Sequence, residues 1–198
     1  MPLGLTALSL GHIISEELQL ALARQRQKGG RIGEVLVELG FADQAQITAA
    51  LASQWGHPVL SLKNRHLEVP HHIPRKLMEI HSMLPIHFVA RTNKLVIGFA
   101  EFVEHRILST IEAMLDCTVV PCFITRDEFA NHYQALRAEP GDEEVVFERP
   151  STIPEIAAVT RSYALQINAN LANFGVCGDY VWGRLQNAQN TIDLLSRI

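Results

Sequence analysis

The stretch RIGEVLVELGFADQAQITAALASQ, residues 31–54, carries two helical patterns joined by a turn. Ile32, Val35, Leu36 and Leu39 recur at helical spacing. Gly40 then stops the helix, as a residue that tolerates positive φ does. Asp43 is placed to cap a second helix, with Gln46 three positions on as its capping-box partner. Ile47, Ala50, Leu51 and Gln54 follow on one face, and Gly56 and Pro58 end the pattern.

The same unit occurs upstream. Residues 2–25 align with residues 31–54 at an offset of 29, and 7 of the 24 pairs are identical: Gly4/Gly33, Leu10/Leu39, Gly11/Gly40, Ala21/Ala50, Leu22/Leu51, Ala23/Ala52 and Gln25/Gln54. About two identities would arise by chance at this composition. Leu3/Ile32, Leu8/Val37 and Leu18/Ile47 are conservative pairs, and residues 26–30 form a 5-residue spacer. In the first copy Ser15 is the expected cap, with Leu18, Leu22 and Gln25 on the face. A duplicated helix–turn–helix therefore opens the chain.

Downstream the period changes. Arg75 to His81 reads as a short helix, Met83 to Val89 and Lys94 to Ala100 as strands, and Phe102 to Leu115 as an amphipathic helix. Thr118 to Ile124 reads as a third strand, and Thr125 with Glu128 as the capping box of a helix through Leu136. The span from Arg137 to Pro154 reads as a linker with a short strand at Val145-Val146-Phe147, and its acidic run Asp142-Glu143-Glu144 as solvated. A helix over 154–171 and three short strands, Phe174–Cys177, Tyr180–Leu185 and Thr191–Leu195, complete the chain. The expected fold class is α+β: an N-terminal helical tandem repeat, a small α/β layer in the order β-β-α-β-α, then a C-terminal helix plus β-meander. The expected boundaries are 1–62, 63–137, a linker at 138–153, and 154–198.

Composition narrows the functional classes. The chain has 198 residues, 47% apolar and 19% charged, with a net charge of −4. That balance gives no electrostatic case for DNA or RNA. No apolar run is long enough for membrane insertion, and no basic segment precedes the apolar residues at the N-terminus. Three cysteines do not make a disulfide framework, so Cys117, Cys122 and Cys177 read as buried structural thiols in a cytoplasmic protein. The nine histidines include the adjacent His71 and His72 but no His-x-x-x-His spacing, and no Cys-x-x-Cys is present. No metal is expected.

Arg31-Ile32-Gly33, a Gly40 nine positions after Arg31 and the terminal Gln54 resemble the motif of the MshEN domain, the N-terminal region of some type II secretion and type IV pilus assembly ATPases. That motif is Arg-Leu-Gly, a central Gly and a terminal Gln, duplicated with a spacer of the length seen at 26–30. The continuation Trp55 to Leu62 is also similar, and residues 84–136 resemble the α/β part of the secretion-ATPase N-terminal domain. The resemblance covers about residues 2–137. The tail beyond 150 resembles no named family.

In that family the duplicated motif binds cyclic di-GMP. The resemblance implies a site made of Arg31, Ile32, Gly33, Ile47, Leu51 and Gln54 from the second copy and Leu3, Gly4, Leu18, Leu22 and Gln25 from the first. The residue types suit the ligand: glycine amides and an Arg fork for phosphate, Leu side chains as a floor for purines, and a Gln amide for a base or ribose edge. The first copy departs from the motif, because Pro2 stands where the family has Arg. Losing a charge-assisted contact costs about 1.5–3 kcal/mol, roughly ten- to a hundredfold in affinity. The same apolar positions would equally form the core of a four-helix unit. Two functional readings follow: a non-enzymatic regulatory domain sensing cyclic di-GMP, or a protein–protein adaptor among the proteins of a bacterial type II secretion or type IV pilus machine. No Gly-Lys dipeptide occurs, hence no phosphate loop of an ATPase. The chain reads as the regulatory N-terminal domain detached from its motor, with no cofactor and no catalytic residues.

Overall fold

The computed structural model describes residues 2–65, 67, 73–138 and 143–198. Met1, His71-His72 and Asp142 lie outside the described residues. The chain is α+β as expected. The elements run α1 (Leu3–Ser9), α2 (Ser15–Lys28), α3 (Ile32–Glu38), α4 (Gln44–Trp55), α5 (Arg75–Ile80), β1 (Met83–Val89), β2 (Lys94–Phe99), α6 (His105–Leu115), β3 (Thr118–Phe123) and α7 (Arg126–Ala138). They continue with β4 (Glu143–Phe147), α8 (Ile153–Ile167), β5 (Leu171–Cys177), β6 (Tyr180–Gln186) and β7 (Thr191–Arg197). Two compact units divide the chain. The first is Met1–His66 with Gly98–Val103 and Pro121–His132; the second is Leu67–Ile97, Glu104–Val120 and Tyr133–Ile198.

In the first unit the two copies pack as one helical core. Ala7, Ile13, Leu18 and Ala21 of the first copy are buried with Val35, Leu36, Ala42, Ile47 and Ala50 of the second. The duplicated glycines explain how closely the helices approach. A Cβ on Gly4 would lie 2.6 Å from Leu18 Cδ1 and 3.7 Å from Ile32 Cγ1, while one on Gly33 would lie 3.1 Å from both Ile47 Cγ2 and Leu3 Cδ2. Each glycine thus receives an apolar side chain from its own copy and one from the other, an exchange expected of a duplication packed on itself.

The α4 start follows the expected capping box: Gln46 N–H donates to Asp43 Oδ1 at 2.7 Å, and Asp43 N–H donates to Gln46 Oε1 at 2.8 Å. Gly56 closes α4 in the left-handed region at φ 69°. The α2 start corrects the expectation for Ser15. Ile14 is the N-cap and Ser15 the first helical residue. Ile14 occupies the repeat position of Asp43 but has no side-chain oxygen, so only the return bond forms, from Ile14 N–H to Glu17 Oε2 at 2.8 Å.

The chain leaving α4 is stitched to the end of β3. Phe123 N–H donates to Pro58 O and Leu60 N–H to Phe123 O, both at 2.8 Å, with Val59 bridged parallel to Phe123. Glu128 accepts from Leu62 N–H at 2.8 Å and from Thr125 N–H at 3.1 Å, so the expected Thr125–Glu128 box also clamps the incoming loop. Ile124 N–H donates to Phe99 O at 3.0 Å. These bonds bring residues 98–103 and the start of α7 to the helical repeat.

Within the second unit lies a four-stranded sheet in the order β4-β7-β6-β5, with β4 parallel to β7 and the remaining pairs antiparallel. The C-terminal meander thus gains a fourth strand from the segment read as linker. The acidic run is also not simply solvated: Glu144 accepts from Arg75 N–H at 2.7 Å and Lys76 N–H at 3.0 Å, capping the first backbone amides of α5. Helix α8 covers Leu185, Ile192 and Leu194 with Tyr163, Ala164 and Ile167. It ends four residues earlier than its apolar pattern suggested, because Asn168 turns left-handed at φ 53°. On the other face of the sheet Asp193 accepts from Trp182 Nε1 at 2.7 Å and from the Arg184 fork at 2.8 and 2.6 Å. The three cysteines are buried, and burial pushes the Cys122 thiol up to about 11.

His81 is buried in this unit, with Nε2 lacking a hydrogen-bond partner and Nδ1 3.9 Å from Glu104. Burial lowers its pKa below 6.5 and outweighs the opposing pull of Glu104. A base depressed by folding stabilises the fold above its unfolded pKa, and that stability is lost as pH falls. The melting midpoint should therefore hold steady near pH ~7.5 and fall as pH is lowered below about 6.5, the unfolded value, toward the depressed folded value. Thermal melts of His81→Leu should show a shallower drop; an equal drop would exclude His81 as its source.

Candidate functional site

One pocket in the first unit gathers the second copy of the motif. Its volume is about 220 Å³, and its wall includes Arg31, Gly33, Glu34, Gln44, Ile47, Thr48, Leu51, Gln54 and Trp55, together with Leu3 from the first copy. Ala100, Glu101, Phe102 and Arg126 close the other side. That volume is below the roughly 300–1,000 Å³ of small-molecule sites, in keeping with a pocket built on one half of a duplicated motif.

The second-copy face of α4 supplies Ile47, Leu51 and Gln54 at helical spacing. Arg31 precedes α3, and its guanidinium carbon sits 5.9 Å from the centroid of the Phe102 ring. The same guanidinium pairs with Glu101. Arg126 at the start of α7 bridges two carboxylates, reaching Glu34 Oε1 at 2.6 Å and Glu101 Oε1 at 2.8 Å. The second oxygen of Glu34 accepts from Arg31 N–H at 3.2 Å. The Arg126 bond, ahead of the smaller Arg31 contributions, holds the Glu34 carboxyl below the usual carboxylate range despite partial burial. Two guanidiniums and two carboxylates thus form one charge-balanced chain along the pocket wall.

Of the residues implied by the motif, Leu3, Arg31, Gly33, Ile47, Leu51 and Gln54 line this pocket. Gly4, Leu18, Leu22, Gln25 and Ile32 do not. Gly4 and Leu18 pack against each other in the core, and Ile32 is half-buried beside them. Leu22 is exposed. Gln25 Nε2 donates to Gly30 O at 2.8 Å, which ties the side chain to the spacer.

No family model matches the chain. The type IV pilus assembly ATPase PilB of Thermus thermophilus is 27% identical over 142 residues, 68% of this chain and 16% of that protein. The PilB of Myxococcus xanthus is 30% identical over 74 residues, 36% of this chain and 13% of that protein. The chain therefore spans a small fraction of the length of the curated relatives it matches. Among solved structures, MshE with cyclic di-GMP superposes at a TM-score of 0.57 and 22% identity, covering 68% of this chain and 98% of that one. The chain shares the fold of MshE.

Within that fold, sequence reasoning missed more than half of the pocket wall. Glu34, Gln44 and Thr48 lie inside the repeat, between the motif positions. The sequence reading starts a helix at Phe102 and leaves Glu101 between elements, but α6 begins only at His105. The segment before it is left free to face the motif. Arg126 lies 92 positions from its partner Glu34, and no local pattern signals such a pair. Among the described residues no helix is long and apolar enough to cross a membrane.

Proposed function

We propose that this chain is a non-enzymatic, cytoplasmic regulatory domain of a type II secretion or type IV pilus system, and that its pocket binds cyclic di-GMP. The observation that carries this reading is the convergence of Arg31, Gly33, Ile47, Leu51 and Gln54 on one cavity. Their chemistry suits a cyclic dinucleotide. Arg31 supplies a fork for a phosphodiester. Leu3, Ile47, Leu51 and the Trp55 ring offer an apolar bed for a purine. Gln54, exposed at the mouth, can both donate and accept at a base or ribose edge. The likeness to MshE with cyclic di-GMP supports the same ligand class.

Isothermal titration with cyclic di-GMP tests the reading. The expected result is micromolar binding that weakens roughly ten- to a hundredfold in Arg31→Ala, the cost of one charge-assisted bond, and weakens also in Gln54→Ala. No heat at roughly millimolar ligand, a level corresponding to about −4 kcal/mol, would overturn it.

A second reading rests on the first copy. Pro2 has neither an N–H nor a charged side chain, and the first-copy residues Leu5 and Leu22 are 46% and 36% exposed. These apolar positions suit an adaptor that contacts a secretion or pilus protein without nucleotide. Recovery of such a component in a pull-down, unchanged by Arg31→Ala, together with a silent titration, would favour this reading.

A further inference from the structure

We infer that Arg126 is a positioning residue of this pocket: by holding Glu34 and Glu101 it lets Arg31 exchange its carboxylate for an anionic ligand. The inference rests on the proposed reading that the pocket takes the phosphate of a cyclic dinucleotide. Glu101 is shared, with Oε2 toward Arg31 and Oε1 toward Arg126 at 2.8 Å. When Arg31 turns to a phosphate, Arg126 keeps the carboxylate paired, so the exchange strands no charge at the half-buried Glu101.

Without Arg126 the balance changes. One guanidinium then faces two carboxylates, and the cluster becomes net negative toward an anionic ligand. The full attraction of Glu101 falls on Arg31 and holds it back. Glu34 loses its 2.6 Å bond and with it the tether on its carboxylate, whose other oxygen accepts from the Arg31 N–H at 3.2 Å. Arg126 also supplies the second positive charge of a site whose first copy has Pro2 in place of Arg. None of this requires Arg126 to touch the ligand, which is why it is a positioning residue.

The test is titration of the full chain with cyclic di-GMP, comparing wild type, Arg126→Gln and Arg126→Lys, with a thermal melt of each. Arg126→Gln should weaken binding at least tenfold. Arg126→Lys keeps the charge without the fork and should stay within about threefold of wild type. The Arg126→Gln loss should shrink as salt rises from roughly 50 to roughly 500 mM, because the missing term is Coulombic. If Arg126→Gln melts early, Arg126→Met, which preserves the apolar stem, takes its place. Binding by the neutral variant within twofold of wild type would overturn the inference, as would a Lys variant as weak as the Gln variant, which marks a purely structural hydrogen bond. A wild-type chain that gives no heat overturns the ligand reading and the inference with it, so the two failures are distinguishable.

Discussion

Asp193→Ala is expected to destabilise the second unit by about 3–5 kcal/mol, the cost of breaking a buried ion pair by removing one partner. Asp193 is 2% exposed and Arg184 5% exposed. The carboxylate accepts three bonds, two from the Arg184 fork and one from Trp182 Nε1, all between 2.6 and 2.8 Å. Truncation removes the counter-charge from a buried guanidinium and leaves the Trp182 ring nitrogen without its acceptor. The strands carrying these residues are central, since β6 and β7 pair with each other and each has a further neighbour, so the site cannot relax toward water. The thermal midpoint should fall by roughly 10 °C. A double variant, Arg184→Met with Asp193→Leu, should recover much of the loss, because replacing both charges by apolar groups removes the desolvation cost. A single variant within about 1 kcal/mol of wild type would show that the pair is not essential to the sheet.

Leu36→Ala is the second large expectation, at about 2–5 kcal/mol. Leu36 is fully buried at the centre of the duplicated helices. Its repeat partner is Ala7, which is also fully buried, so the smaller copy has no spare volume to fill the cavity. The effect should reach the pocket as well, since α3 carries Gly33 and Glu34 three and two residues before Leu36. Urea unfolding should show the stability loss, and titration with cyclic di-GMP at a temperature where the variant remains folded should show weaker binding. Unchanged stability would mean that the duplicated core collapses around the deletion.

Much of this architecture was legible in the residues. The repeat at an offset of 29, the Asp43 and Thr125 capping boxes, and the apolar alternation of β1 to β3 are local signals. They depend on backbone propensity and on periodicity, which a linear sequence records directly. The errors were also local in cause. Ser15 looked like a cap because its side chain suits one, whereas the register of the repeat put Ile14 at that position. The helix over 154–171 was drawn too long because nothing in its apolar spacing shows that Asn168 takes a left-handed conformation.

The pocket divides along the same line. Helical spacing puts Ile47, Leu51 and Gln54 on one face of α4, while Arg31 and Gly33, like Leu3 from the first copy, enter only through the resemblance to the family motif. Glu101, Phe102 and Arg126 were not readable, because they reach the motif only through the hydrogen bonds that join Phe123 to Pro58, Glu128 to Leu62 and Ile124 to Phe99. The sequence by itself determined a duplicated helical motif, an α+β order and a chain without a phosphate loop. Only the tertiary structure decided which half of the motif lines the pocket and which packs into the core. It alone placed two carboxylates and a second guanidinium beside Arg31. Charge pairing of this kind depends on distance in space, and residues 92 positions apart carry no mark of it until the chain is folded.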